Sequence, residues 1–310
     1  METLDSTQTQ TPSSSKPADP SLQNPSFTSP RQATPQSVTR LWRPAAQRNL
    51  RNQWSKLASY RKQWVSSSFS GRSHATSLVN AYLSQRYMHA MELGVLSDMP
   101  DIQKKACLKL LKQQELHRSK LLSSYKDMVA IVTHMINTIR SMRCYLKGTS
   151  SSPLVQFSSC SEHENDTGDC GGISVFAFWP ISSFEKLAQE LVQMFTLELN
   201  LKRVLVVELL SISCEEVPPV NGLCWSMELY GGEFDDLSIC NLCSKETCEP
   251  VLPRLKGQKS VNPVVQCNHQ PDHEVLQVYL TTWLAEVNVD TYRVDEIFSV
   301  VGEEMHVNLS

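Results

Sequence analysis

The sequence predicts an all-α protein, an antiparallel helical bundle or coiled coil with a disordered N-terminal tail and an irregular cysteine-containing insert. Three observations predict it. Apolar residues recur at helical spacing through both halves of the chain. The best stretch, Leu121, Tyr125, Met128, Val132, Met135, Ile139, Met142 and Leu146, alternates steps of four and three without a miss, the repeat of a helix-helix seam. Only one short run, Leu223 to Leu229, shows the period of two that a strand needs. With 310 residues, 41% of them hydrophobic, the chain can bury a core without disulfides or metal.

Residues 1–40 read as the tail. Pro12, Pro17, Pro20, Pro25, Pro30 and Pro35 stand among fifteen Ser and Thr, with few large apolar side chains to offset the entropy of ordering. Thr11, Ser29 and Thr34 precede prolines, and Thr7 and Thr9 precede glutamines, the minimal acceptor contexts of proline-directed and damage-checkpoint kinases. A basic helical segment, 41–147, follows. Leu50, Trp54, Leu57 and Trp64 share a face until Gly71, which predicts a break, and Ser73 is placed to cap a second helix reaching about Leu93. Pro100 suits a first helical position, and a long third helix is expected to end at Lys147 before Gly148. Its seam reads as the core-facing side of an antiparallel bundle, the alternative being a stripe offered to another chain.

Residues 148–172 are polar and Gly/Ser-rich, a linker. In segment 173–212, Ser182 and Glu185 have capping-box spacing, and Phe184, Leu187, Leu191, Met194, Leu201, Leu205 and Ile212 form a stripe interrupted by Glu198. A carboxylate there is expected at the stripe's edge rather than inside a polar contact. Residues 213–272 read as an irregular insert containing the short strand. The last segment, 273–303, reads as a helical pair completing the bundle, with Leu276, Leu280, Trp283 and Val287 on one face. Asp290 caps Val294, Ile297, Phe298 and Val301, and Gly302 closes the helix.

Charge divides the chain. Residues 40–148 carry 19 Lys and Arg against 5 Asp and Glu, whereas 149–310 carry 8 against 24. The formal net charge of −3 excludes a bulk polycation. The basic half could meet phosphate, but Trp54 and Trp64 lie on the apolar side rather than between the charges. Pairing with the acidic half or a partner is therefore the favoured reading, with nucleic-acid contact left open. No apolar run reaches membrane-span length and no signal-peptide pattern opens the chain, so a soluble protein of the nucleus or cytoplasm is expected.

Cys240-x-x-Cys243-x4-Cys248, with Cys267-x-His269 beyond it, is the one cluster approaching metal-ligand spacing. Its second half is no standard zinc knuckle, so free thiols are favoured over zinc and no cofactor is expected. Nucleophile elbow, Walker loop, His-Glu-x-x-His pair and kinase signatures are all missing. His117 and His134 lack partners at metal spacing, and the chain reads as a non-enzyme.

Phe176-Ala-Phe-Trp179-Pro180, then Phe184, Leu191, Met194-Phe195, Glu198-Leu199, Leu201-Lys202-Arg203 and Glu208-Leu209 resemble, without gaps, the signature of the cyclin-dependent-kinase-two-interacting protein family. Leu280, Trp283 and Asp290 resemble that family's later Leu-x-x-Trp helix and acidic turn; Asn52-x-Trp54-x-x-Leu57 and Gly71 resemble its N-terminal helix more weakly. The resemblance spans roughly residues 48–303 apart from the insert. It implies a non-catalytic nuclear adaptor in DNA replication, genome maintenance and checkpoint signalling. The implied partners are cell-cycle or checkpoint kinases and a hexameric AAA ATPase assembly that remodels replisomes or ribosome precursors. Trp179, Pro180, Phe184, Glu198, Lys202, Glu208 and Trp283 are the partner-contact candidates, and helix-helix association with like or unlike chains is expected. The alternative is a zinc-assisted nucleic-acid-binding module built from the basic half and the cysteine cluster.

Overall fold

The computed structural model describes residues 35–99, 101–143, 174–214, 224–244, 246, 249–253 and 271–309, with side chains from Arg43 onward. Among them are six α-helices: α1 (Pro35–Met88), α2 (Ile102–Met142), α3 (Ile181–Ser211), α4 (Glu233–Ile239), α5 (His273–Ala285) and α6 (Thr291–Met305). The described residues are mostly helical and contain no strand; one isolated bridge joins Cys243 to Pro250. No helix among them is long and apolar enough to cross a membrane.

The two longest helices run antiparallel, as cross-links between them show. Asn49 donates to Ser141 O (3.1 Å), Ser124 to Ser70 Oγ (3.3 Å), Gln114 to Gln85 Oε1 (2.6 Å) and Gln103 to Met88 O (2.5 Å). One residue number rises as the other falls. The seam of α2 faces inward, with Leu121, Tyr125, Met128, Val132, Met135 and Met142 all buried against Leu50, Trp54, Leu57, Trp64 and Leu78 of α1. Full burial of each such aliphatic side chain contributes roughly 1.5–3 kcal/mol. Ile139 is only half-buried, and Leu146 lies outside the described residues.

Several sequence expectations change here. Helix α1 begins at Pro35, inside the span assigned to the tail, because proline's missing N–H costs nothing at a first helical position. Thr7, Thr9, Thr11, Ser29 and Thr34 lie outside the described residues. Gly71 does not break the helix, and Ser73 caps nothing: α1 is continuous to Met88. The indole of Trp283 explains the glycine, since a Cβ at Gly71 would come within 2.6 Å of Trp283 Cζ2. A propensity cost of about 1 kcal/mol is accepted to let α5 approach.

Helix α2 starts at Ile102 after Asp101, whose φ is 61°, and ends at Met142. The Ser182–Glu185 capping box does not form. Helix α3 enters through Pro180 with no side-chain cap, and Glu185 instead accepts from Arg143 and from Gln189 (3.0 Å). Asp290 caps α6 as expected, accepting from Arg293 N (3.1 Å), and Asp272 does the same for α5 through Val275 N (3.0 Å). Gly302 does not end α6, which runs to Met305; a Cβ there would stand 2.8 Å from Val307 O, so the glycine lets the chain fold back over the last turn. Val287 is exposed, because the chain turns left-handed at Glu286 (φ 45°) before it.

Candidate functional site

The residues that carry the family resemblance gather where α1, α3, α5 and α6 meet. At one end, the 174–180 segment is tied down from two sides. Arg43 Nε and Gln47 donate to Val175 O (2.8 and 2.7 Å), Arg43 also donates to Phe176 O, and Arg51 stacks over the Phe176 ring at 5.1 Å. From α6, the Glu304 carboxylate accepts the backbone N–H groups of Phe178 (2.7 Å) and Trp179 (2.9 Å). Phe176 and Trp179 both pack edge-on against Phe184, at 5.5 and 5.4 Å. Phe178, between these anchors, is 80% exposed.

Glu198 and Lys202 are not at an edge. Both are fully buried, one turn apart, with Lys202 Nζ 3.2 Å from Glu198 Oε1. Lys202 also donates to Trp283 O, lies 4.7 Å from the Trp283 ring centre and stands 3.9 Å from Glu286. Glu198 Oε2 accepts from Asn288 N (3.1 Å) and Nδ2 (3.3 Å). Ser68 of α1 closes the cluster: it donates to Glu286 (2.5 Å) and its carbonyl accepts from Trp283 Nε1 (3.0 Å). Burial pushes the Glu198 carboxyl above its ordinary range and the Lys202 ammonium below its own; their mutual attraction opposes both shifts. The carboxylate interrupts the stripe because α5 and its following turn bring a cation's second partner and two amide donors to meet it.

Of the seven partner-contact candidates, Phe184, Glu198, Lys202 and Trp283 are therefore inside the chain, while Trp179, Pro180 and Glu208 are half-buried. Burial raises the Glu208 carboxyl, and a hydrogen bond with Tyr279 works against that rise.

The next residue along, Arg203, organises the insert. Its Nε lies 2.8 Å from Glu233 Oε1 and its Nη2 lies 3.3 Å from Oε2, while Nη1 and Nη2 donate to Trp225 O (2.8 Å) and Met227 O (2.7 Å). Glu233 also accepts from Tyr125 Oη (2.7 Å) and Leu229 N (2.6 Å). The guanidinium stacks on Trp225 at 4.5 Å. Desolvation and the Glu233 charge hold the Tyr125 phenol well above its ordinary value. The expected strand from Leu223 to Leu229 is absent among the described residues for this reason: the backbone groups a strand would pair are taken by a buried ion pair. Leu223 itself is outside them.

Of the cysteine cluster, Cys248, Cys267 and His269 lie outside the described residues. Cys240 is buried 3.5 Å from Thr133 Oγ1, and burial pushes its thiol up to about 11; Cys243 contacts Phe234 O at 3.7 Å. No group of three or more His, Cys, Asp or Glu among the described residues is placed to hold a metal. His117 lies beside His74 (5.8 Å between rings) and His134 stacks on Tyr60 (5.6 Å). An open cleft of about 580 Å³ runs between the C-terminal half of α2, α3 and residues 240–252, lined in part by Ile136, Ile139, Val192, Leu252 and the buried Asn200.

Sequence reasoning missed Arg203, Glu233 and Phe178. The signal for Phe178 was present in its own motif, which holds more large aromatics than one small turn can bury. Compared with known families, curated proteins and solved structures, the chain has no match.

Proposed function

We propose that the chain is a non-catalytic nuclear adaptor of the kind its signature resembles, an antiparallel helical bundle that presents docking surfaces to a larger machine. The machine is a hexameric AAA ATPase assembly acting on replisomes or ribosome precursors, and cell-cycle or checkpoint kinases act on the N-terminal segment. One observation carries the reading: Phe178 is exposed while the backbone on both sides of it is fixed, by Arg43 and Gln47 at Val175 and by Glu304 at Phe178 and Trp179. An aromatic side chain left in water on a rigid support is what binding hot spots look like, since little ordering entropy remains to be lost on docking. The buried charges Glu198, Lys202 and Arg203 of α3 fit the same reading, because their hydrogen-bonding capacity is spent on holding α5 and the insert rather than on a reacting group.

Affinity purification of the full chain from cells, with quantification of co-purifying ATPases and kinases, tests this. The wild type should recover the ATPase, and Phe178→Ala should lose most of it while melting unchanged. Failure of the wild type to recover any such ATPase overturns the reading.

A further inference from the structure

The cleft between α2, α3 and residues 240–252 holds a polar group that the described fold leaves unsatisfied. Asn200 lines it and is 3% exposed. Its Nδ2 donates to Val251 O (2.9 Å), which fixes the amide, while its Oδ1 has no hydrogen-bond partner. A buried carbonyl oxygen in that state costs free energy until a donor reaches it. The walls around it are largely apolar, with Ile136, Ile139, Val192 and Leu252 among them. Along α3 the lining runs from Glu185 to Asn200, roughly 22 Å at helical rise. That length suits about six residues of extended chain, whose backbone N–H groups are donors of the kind the oxygen lacks.

Two stretches of this chain are attached at the rim. Arg143 and Leu252 both line the cleft; residues 144–173 follow the first, and 254–270 follow Pro253, next to the second. Both stretches lie outside the described residues. Charge separates them. Arg140 lines the cleft with no carboxylate partner among the described residues, and Arg143 stands beside it, paired with Glu185. Residues 254–270 carry Arg254, Lys256 and Lys259 and no acid, whereas 144–173 carry Glu162, Glu164, Asp166 and Asp169 against Lys147 alone. The arginines oppose the first stretch and attract the second. We infer that the cleft is a peptide groove whose occupant is the Pro153-Leu154-Val155-Gln156-Phe157 run of the same chain. The run has three large apolar side chains and no charge, and a proline biases the residue before it toward extended backbone. In the groove a backbone N–H of the run donates to Asn200 Oδ1, with Val155 and Phe157 turned to one wall and Leu154 to the other. From Arg143 to Leu154 the chain can span roughly 36 Å, more than the groove requires. Its far end is also in place: Val175 is held by Arg43 and Gln47, and Asn49 of the same helix meets Ser141, so the returning acidic residues pass the arginine end. Tethering makes the encounter intramolecular, with an effective concentration on the order of millimolar for a short tether, so a weak contact suffices. This contact is independent of the adaptor role.

Amide hydrogen exchange on the full chain tests this against a synthetic peptide of residues 150–160. In the wild type, the amides of Val155, Gln156 and Phe157 should exchange at least roughly tenfold more slowly than in the peptide. Leu154→Ser with Phe157→Ser should bring Val155 and Gln156 to within about twofold of the matching peptide, and so should Thr196→Arg, which fills the groove from α3. Arg140→Glu changes an exposed side chain and leaves the fold intact. It should speed exchange of the run at least roughly threefold at low salt, because it sets a carboxylate against Glu162 and Glu164. Exchange of these amides at the peptide's rate in the wild type overturns the inference. Protection that Thr196→Arg and Arg140→Glu both leave unchanged also overturns it, since the run would then lie against another surface. Protection that grows with protein concentration does the same, because the occupant would be the run of a second copy.

Discussion

Lys202 and Arg203 are neighbours on α3 and both are buried, yet they anchor different parts of the molecule on different terms. Arg203 meets Glu233 through two of its nitrogens and passes its remaining donors to Trp225 O and Met227 O. Glu233 in turn collects Tyr125 and Leu229 N. Lys202 has a single charged nitrogen shared among Glu198, Glu286 and the Trp283 carbonyl, and burial outweighs those attractions for both members of the pair. Planar bidentate geometry makes the difference. A guanidinium satisfies a carboxylate and two carbonyls at once, whereas the ammonium meets its carboxylates only as a point charge, 3.2 Å from Glu198 and 3.9 Å from Glu286. The Arg203 side therefore fixes the irregular segment around α4, and the Lys202 side is a junction of α1, α3 and α5 that balances desolvation against contact.

The comparison is broken most forcefully by Arg203→Ala. It strips donors from two backbone carbonyls and leaves the buried Glu233 unpaired, which should cost about 3–5 kcal/mol in urea denaturation and open residues 224–253 to protease. A loss below about 1 kcal/mol would mean the pair is dispensable. Next in size is Gly71→Ala. If the glycine merely interrupted a helix, alanine would stabilise by up to about 1 kcal/mol; with the Trp283 indole in the way it should instead cost roughly 1–3 kcal/mol. Trp283→Leu in the same chain should remove that penalty, since the clash is with the indole, and thermal melting of the four proteins reads both effects.

A smaller and pH-dependent effect belongs to the Lys202 side. The Glu198 carboxyl is raised in the folded state above its ordinary 4.5, so its contribution is fully present below that pH and lost as pH rises through the folded value. The Lys202 ammonium is lowered below its ordinary 10.5, so its contribution is present above that pH and lost as pH falls through the folded value. Relative to Glu198→Gln, the wild type should therefore lose ground in denaturation midpoint as pH rises from 4.5 through the folded value of Glu198. A difference that stays flat across that interval contradicts the raised carboxyl. The smallest change is expected at Asp295, whose carboxylate is mostly exposed beside Arg61. Asp295→Asn should alter stability by well under about 1 kcal/mol and change little with salt.

What could be read in advance follows the range of the interactions. The face of Leu50, Trp54, Leu57 and Trp64, the seam of α2 and the Asp290 cap depend on neighbours within a turn or two, and the structure places them as their spacing indicates. Gly71 was misread because its reason, the Trp283 indole, comes from the far end of the chain. The spacing of Glu198 and Lys202 was visible as an i, i+4 pair, but spacing alone does not say whether water surrounds it. Arg203 was named only as part of the signature and Glu233 not at all, since the insert that holds Glu233 carries no helical period and its two-residue alternation suggested a strand. Phe178 was passed over because its motif pointed to its neighbours Trp179, Pro180 and Phe184 as the contact candidates.

The central claim is that the buried charges Glu198, Lys202 and Arg203 of α3 act inside the chain, and a double-mutant cycle on Arg203→Met and Glu233→Gln tests it most directly. Urea denaturation of the wild type, the two single variants and the double variant gives the coupling energy. The account predicts that the single losses sum to more than the loss of the double variant by at least about 2 kcal/mol, because each single change strands the other buried partner. Additive losses within about 0.5 kcal/mol would contradict it and place these charges in water.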